Sequence, residues 1–357
     1  MDSETYWKER GRIKEKMGDK SISILKAECK RLYEISLKNI EKEIDAFYGR
    51  YAGMNGLTIS DVQKRLSPDE LKSAKIEIAN YYNLVNKLAK DNQGKINVEL
   101  LRRYKDELRL QSAKAYMSRL EGLKNSLRYN LIDLGFNQEI KFNTELFNLC
   151  KDIHSFASFD IDKTLGFSEG YDEIPAKKIE YLVNEKWLGE NYSDRIWKDK
   201  NKLLDNINHT FLQGIARGQN SVVIAREIAN NYKTSFYNAE RLCITESAHI
   251  TESATMESYK EHGVDEIQFV ATLDAHTCPI CGNLDGQHYP KKEAMTGVNY
   301  PPVHPNCRCT TIAYFEPDEI DKMFEESERI AREDGVGEWY EVPSSMNYKQ
   351  WKNIVVK

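Results

Sequence analysis

Between residues 4 and 52 apolar side chains return every three to five positions, at Ile22, Leu25, Cys29, Leu32, Leu37 and Ile40, amid dense charge. That stripe predicts one long amphipathic helix. The string Ser67-Pro68-Asp69-Glu70 has the form of a capping box with proline in the first turn. It predicts a helix starting at Pro68 and running through the apolar positions Leu71, Ala74, Ile78 and Tyr82. Periodicity from Val98 to Leu134 predicts a further helix, about 55 Å long at 1.5 Å per residue. Gly166, Gly170 and Pro175 mark residues 160 to 178 as a linker or loop. Helical periodicity resumes near Ile179 and, with a break over Gly214 to Ser221, reaches Gly263.

Beyond Gly263 the period falls to two. Ile267, Phe269, Ala271 and Leu273 alternate with Gln268, Val270 and Thr272, predicting a strand, and Arg308 to Phe315 predicts another. The quartet Thr-Glu-Ser-Ala occurs at 245 to 248 and again at 251 to 254. Six residues turn a helix through about 600°, so the copies face different sides; they read as local composition, not as an array. The fold class expected is mainly α with a small C-terminal α+β module. Four stretches follow: an extended helical domain over 1 to 160, a second helical part over 161 to 263, a β-rich Cys/His module over 264 to 315, and an acidic tail over 316 to 357.

Net charge, −5 over 357 residues, conceals a segregation. Residues 316 to 341 carry eleven acids against Lys322, Arg329 and Arg332, and without them the chain is net positive. Residues 97 to 130 carry eight bases against four acids, with Tyr104, Tyr116 and Tyr129 interleaved. That stretch offers Arg102, Arg103, Arg109 and Lys114 as a contact for polyanions such as double-stranded DNA, against the plainer reading of a solvated helix face. No run nears the roughly 18 apolar residues of a membrane span, and the first ten residues lack the apolar core of a secretory signal. The expectation is a protein without a membrane partner, made in a reducing cytoplasm.

Seven cysteines are an odd number, and four of them fall within 32 residues beside histidines. Cys278-Pro-Ile-Cys281-Gly282 and, 22 residues on, His304-Pro-Asn-Cys307-Arg-Cys309 have the spacing of two ligand pairs closing on one tetrahedral ion, for which zinc is the natural choice. The favoured set is Cys278, Cys281, His304 and Cys307, with Cys309 competing for the fourth place. Pro301, Pro302 and Pro305 stiffen the approach to His304. Buried free thiols and disulfides are the alternatives. A redox pair at Cys278 and Cys281 is disfavoured because a turn, not a helix, is expected to follow it. A catalytic zinc would need a base, for which His276, His288, Asp274 and Asp285 are near in sequence.

The string Ala271-Thr-Leu-Asp-Ala-His-Thr-Cys278-Pro-Ile-Cys281, then Leu284-Asp-Gly286, then Pro301-Pro-Val-His-Pro-Asn-Cys-Arg-Cys-Thr310 resembles the signature of the phage Mu protein F-like head morphogenesis domain of minor capsid proteins in tailed phages and prophages. Trp187-x-Gly189-x-Asn191-x-Ser193-x-Arg195-Ile-Trp197, the glycines at 214 and 218, and Arg241 with Thr245-Glu246 resemble its helical part, so the likeness runs from about 180 to 315. His276 and the opened segment Arg241-Leu-Cys-Ile-Thr245 depart from the usual pattern. The resemblance implies a minor head protein inside the procapsid near the portal vertex, assembled in the bacterial host. Portal, capsid or scaffolding proteins are then its partners, and DNA delivered or packaged with it is the alternative.

Some proteins similar to that family carry fused ADP-ribosyltransferase domains. Glu326-Ser-Glu328 has the acidic spacing such chemistry uses, but it stands in an acidic tail expected to be a solvated helix, with no strand motif ahead of it. No phosphate-cradling glycine loop, His-Glu-x-x-His or Gly-x-Ser-x-Gly occurs. The expectation is a structural protein and not an enzyme.

Overall fold

The computed structural model describes residues 3–54, 56–165, 173–315, 328–331, 340–343 and 350. Among the described residues are nine α-helices: α1 Ser3–Tyr51, α2 Ile59–Gln63, α3 Pro68–Asp91, α4 Val98–Ala113, α5 Arg119–Leu165, α6 Ala176–Asn184, α7 Tyr192–Ala216, α8 Ser221–Glu261 and α9 Pro279–Leu284. The sequence stripe of α1 is buried at Leu25, Cys29, Leu32 and Ile40. Ser67 caps α3 as its sequence predicts: its hydroxyl accepts from Glu70 N while the Glu70 carboxylate accepts from Ser67 N at 2.7 Å.

The single helix expected over Val98 to Leu134 is two. The chain leaves α4 at Lys114 with extended backbone and re-enters a helix at Arg119. Two backbone bonds hold the break open, Leu66 N to Met117 O at 2.8 Å and Arg119 N to Lys64 O at 2.9 Å. Met117 is driven fully into the core. Ser118 then caps α5, accepting from Glu121 N while the Glu121 carboxylate accepts from Ser118 N. Residues 160 to 178, expected as a linker, continue α5 to Leu165.

Two compact units form, each from segments distant in the chain. One comprises residues 1–25, 145–185 and 241–357, the other 26–144 and 186–240. The second unit is helical around a core that includes Ile78, Val85, Tyr104, Leu108, Met117, Phe136 and Trp197. In it the Trp-Gly-Asn-Ser-Arg-Trp stretch is read by α5. Glu139 accepts hydrogen bonds from Ser193 Oγ at 2.6 Å and Trp197 Nε1 at 3.2 Å, and Asn143 donates to the Tyr192 hydroxyl. The Trp197 ring lies on Gly135, whose missing side chain makes room for it. Burial pushes the Glu139 carboxyl up, partly offset by its hydrogen bonds to Ser193, Asn97 and Trp197. A second buried knot joins Lys200 to Tyr33, Asp199 and Ser235.

The first unit carries a three-stranded antiparallel sheet of order β2-β1-β3, from β1 Glu266–Val270, β2 His288–Pro290 and β3 Thr310–Tyr314. In register, Gln268 faces Ile312 on one side and His288 on the other. Trp7, Ile161, Tyr259, Val264, Ile267, Tyr300, Ile312 and Ala313 bury the sheet against helices. A polar belt backs this core. Glu252 of α8 accepts from Thr310 Oγ1 at 2.5 Å and Thr311 Oγ1 at 2.6 Å, and Lys14 of α1 donates to Thr311 O at 2.6 Å.

The tail is helical in the sequence reading, yet β4 Glu328–Ala331 pairs antiparallel with β5 Tyr340–Pro343. Ile330, Tyr340 and Val342 favour strand, and Gly335 and Gly337 lie between the two runs. Glu326 and the rest of 316 to 357, apart from these strands and residue 350, lie outside the described residues.

Candidate metal centre

Two arms of the first unit carry the candidate ligands. The first leaves the end of β1, turns through 272 to 277, and places Cys278 as the N-cap of α9, its sulfur accepting from Cys281 N at 3.4 Å. A short helix therefore does open on the pair, where the sequence predicts a turn. Proline at its first position and Gly282 in its second half let it begin and end within six residues. The second arm runs from Pro301 to Cys309 and passes directly into β3. Its tight bend is made by Asn306 at φ 66°, a conformation asparagine tolerates, and Asn306 N donates to Thr245 Oγ1 of α8.

The arms meet at Cys281. Cys278 Sγ lies 3.1 Å and Cys281 Sγ 3.3 Å from His304 Nε2, and Cys281 Sγ lies 3.9 Å from Cys307 Sγ. With Zn–S near 2.3 Å and Zn–N near 2.0 Å, the edges of a tetrahedral site are about 3.8 Å between sulfurs and about 3.5 Å from sulfur to nitrogen. The sulfur–sulfur separation matches that length to about 0.1 Å, and the two sulfur–nitrogen separations are about 0.2–0.4 Å shorter than theirs. Ligand atoms fall into two overlapping groups, Cys278, Cys281 and His304, and Cys281, Cys307 and Cys309, each within 4.8 Å throughout. Cys281 belongs to both, so all five predicted ligands are in or beside one cluster, and Cys307 and Cys309 are both within reach of it.

Electrostatics fit a cation-binding role. Hydrogen bonds from Cys281 and Cys309 hold the Cys307 thiol far below its usual range, and bonding to Cys281 and Cys307, with burial, pushes Cys309 up. Cys281 is likewise raised, first through Cys307. One thiolate is stabilised among protonated neighbours, and a divalent cation would take the place of those protons. His304 Nδ1 lies 2.8 Å from Pro305 O, which assigns the proton to Nδ1 and leaves the Nε2 lone pair facing the sulfurs. Three buried thiols, one half-buried thiol and a half-buried imidazole are a soft donor set suited to zinc. These residues could hold a metal ion.

The residues named as bases for a catalytic ion are engaged elsewhere. Asp274 pairs with Arg308, Asp285 accepts from Ala271 N at 2.8 Å, and His288 pairs with Glu266 and stacks on Tyr314. Neither they nor His276 belong to either ligand group. No disulfide joins any of the seven cysteines, and Cys29, Cys150 and Cys243 are buried far from this chemistry in sequence.

The basic residues of 97 to 130 belong to the second unit. Arg102 and Arg103 are exposed. Arg109 is tied to Asp106 and donates to the Tyr82 hydroxyl, and Lys114 pairs with Glu121 at 3.0 Å. Arg128 pairs with Glu107. Of the interleaved tyrosines only Tyr116 is exposed. Tyr104 packs edge-on to Phe136, and Tyr129 stacks on Tyr81. Tyr104 and Tyr129 lie on the buried faces of α4 and α5, and Tyr116 lies in the segment between them.

Sequence reasoning missed the supports of the centre: Thr245, Glu252, Lys14, and the pair Asp274–Arg308. For two of them, Thr245 and Glu252, the Thr-Glu-Ser-Ala repeat was the signal. Its first copy supplies Thr245 to the bend at Asn306, and its second supplies Glu252 to β3. Copies facing different sides serve different parts of one module.

Among the described residues no helix is long and apolar enough to cross a membrane. Residues 205–312 match the family described as Phage Mu protein F like protein. Over 177 residues the chain is 30% identical to the NAD(+)--arginine ADP-ribosyltransferase EFV of Enterococcus faecalis (strain ATCC 700802 / V583), covering 44% of this chain and 36% of that protein. The chain thus spans little more than a third of that relative's length. No solved structure matches. The stretch that resembles the Phage Mu protein F like family, residues 205–312, holds α8, most of the three-stranded sheet and every candidate ligand of the metal centre.

Proposed function

We propose that this protein is a minor capsid component acting in phage head morphogenesis, seated near the portal vertex inside the procapsid, with a structural zinc ion held by Cys278, Cys281, His304 and either Cys307 or Cys309. The observation that carries this reading is the coincidence of the Phage Mu protein F-like match with the cysteine–histidine cluster. A family of head proteins supplies the setting, and the donor set supplies the ion. In such a role the ion ties off a module whose knuckle has few apolar residues of its own, Phe269, Ala271, Leu284 and Val303 around the sulfurs. Zinc can contribute free energy there that burial does not.

Portal, capsid and scaffolding proteins are the partners we propose, and DNA contact through Arg102, Arg103, Arg109 and Lys114 is the alternative. Local pairing of Arg109 and Lys114 and burial of Tyr104 and Tyr129 weigh against the alternative. The name of the E. faecalis relative raises ADP-ribosyl transfer as a further activity, but 36% coverage of that protein leaves most of it outside the shared region. We do not propose that activity for this chain.

The test combines metal analysis of the purified protein with co-purification against the portal protein of the same genome. One equivalent of zinc and a stable portal complex are expected. Absence of zinc from protein purified without chelators would remove the ion. A protein that ignores the portal but retains duplex DNA, with a salt slope lowered by replacing Arg102 and Arg103 with Glu, would favour the alternative.

A further inference from the structure

Asp274 is fully buried and forms an ion pair with Arg308, its Oδ2 2.5 Å from the guanidinium. Its other oxygen accepts from His276 N at 2.9 Å and from Thr277 Oγ1 at 3.3 Å. Thr277 immediately precedes Cys278, and Arg308 stands between Cys307 and Cys309. One carboxylate therefore grips both arms of the candidate centre from behind, each within a residue of a candidate ligand. Thr272 Oγ1 adds a parallel link, 2.9 Å from Arg308 O. The guanidinium meets the Asp274 carboxylate. It lies among carboxylates, with Glu15 and Asp19 adding to the attraction from Asp274.

We infer that the Asp274–Arg308 pair is a positioning device for the metal centre: it presets the separation of the Cys278–Cys281 arm from the Cys307–Cys309 arm, so that the sulfurs converge before an ion arrives. This rests on the metal reading proposed above. The pair touches no ligand atom, yet it removes the freedom of the two arms to drift apart. Bonds of this outer kind typically alter metal affinity 10- to 100-fold. A pair that only stabilised the sheet would act on the fold and leave affinity, at equal stability, alone.

Cobalt(II) titration of the full-length protein, followed by zinc competition, reads both affinity and coordination through the visible bands of tetrahedral thiolate-bound cobalt. Asp274→Asn and Arg308→Lys are each expected to lower zinc affinity 10- to 100-fold, with the band positions unchanged. The double variant is expected to lose no more than the worse single one, because one strut is broken in all three. Ile312→Val serves as the control. It trims the sheet core without touching either arm and should leave affinity within threefold. If Asp274→Asn leaves affinity within threefold, or if Ile312→Val lowers it as much at matched melting temperature, the positioning role is overturned. Wild-type protein that binds neither cobalt nor zinc overturns the metal reading itself, a result distinct from a wild type that binds tightly and a variant that binds equally well.

Discussion

Gly135 meets Trp197 closely enough that an added Cβ would stand 2.7 Å from two ring carbons. An indole clamped by Phe136, Tyr104 and a hydrogen bond to Glu139 cannot step aside as a flexible side chain would. Gly135→Ala should gain about 1 kcal/mol of helix propensity and lose more through overpacking, which typically costs about 1–3 kcal/mol. A fall in the urea midpoint with unchanged slope would show it; a rise would mean that the ring moves freely. Lys14 makes a different residue-scale case. Burial lowers its pKa below 10.5 more strongly than Glu252 and Asp160 raise it. Between the lowered folded value and 10.5 the unfolded chain therefore holds more protons, and stability contributed through Lys14 rises with pH across that window. Wild type should gain on Lys14→Met as pH climbs toward 10.5 and run parallel to it below the folded value. A gap that shrinks over the same window would show that the carboxylates, not burial, dominate. Neither residue was legible as important from the chain. Glycine and lysine stand at positions of the buried stripes, where hydrophobic periodicity has nothing to register.

The break between α4 and α5 teaches the same lesson about elements. Ser67-Pro-Asp-Glu70 announced its helix because the cap precedes the apolar run. Ser118-Arg-Leu-Glu121 carries the same signature, but it sits inside a stretch periodic on both sides, and periodicity outweighed it in the reading. What decides is tertiary: Lys64 and Leu66 take up the backbone groups of Arg119 and Met117, which no local pattern encodes. Ser118→Ala should cost about 1 kcal/mol, measured as loss of stability in urea, with less effect if the backbone pairing alone enforces the break. The strands divide in the same way. β1 and β3 alternate strongly enough to be read, whereas His288–Pro290 is too short to show a period and is a strand only because Glu266–Gln268 pairs with it. The ligands of the candidate centre were legible since cysteine and histidine at that spacing have few other uses. Its supports were not, for Asp274 and Arg308 resemble any surface acid and base until the two arms fold together.

At the scale of the whole molecule, the sheet and the knuckle would not depend equally on the proposed ion. In the structure the sheet has its own apolar core with Trp7, Ile161 and Tyr259 and a polar belt from Glu252 and Lys14, so it has support besides the metal. The knuckle has chiefly the sulfurs and a few apolar neighbours. Zinc bound at a structural site contributes apparently about 10 kcal/mol or more, at least as much as those few neighbours, two of them only partly buried, supply at about 1.5–3 kcal/mol for each fully buried side chain. Hydrogen exchange after chelation should therefore separate the two. The amides of Gly282 and Asp285, bonded to Cys278 O and Cys281 O, should lose protection. Those of the β1–β3 ladder from Glu266 to Thr310 should keep it, and residues 26–144 and 186–240 should exchange as before. Collapse of the ladder together with the knuckle would show that the ion holds the sheet as well. Unchanged protection at Gly282 and Asp285 would show that the knuckle stands without any ion, and the structural role assigned to zinc would fall with it.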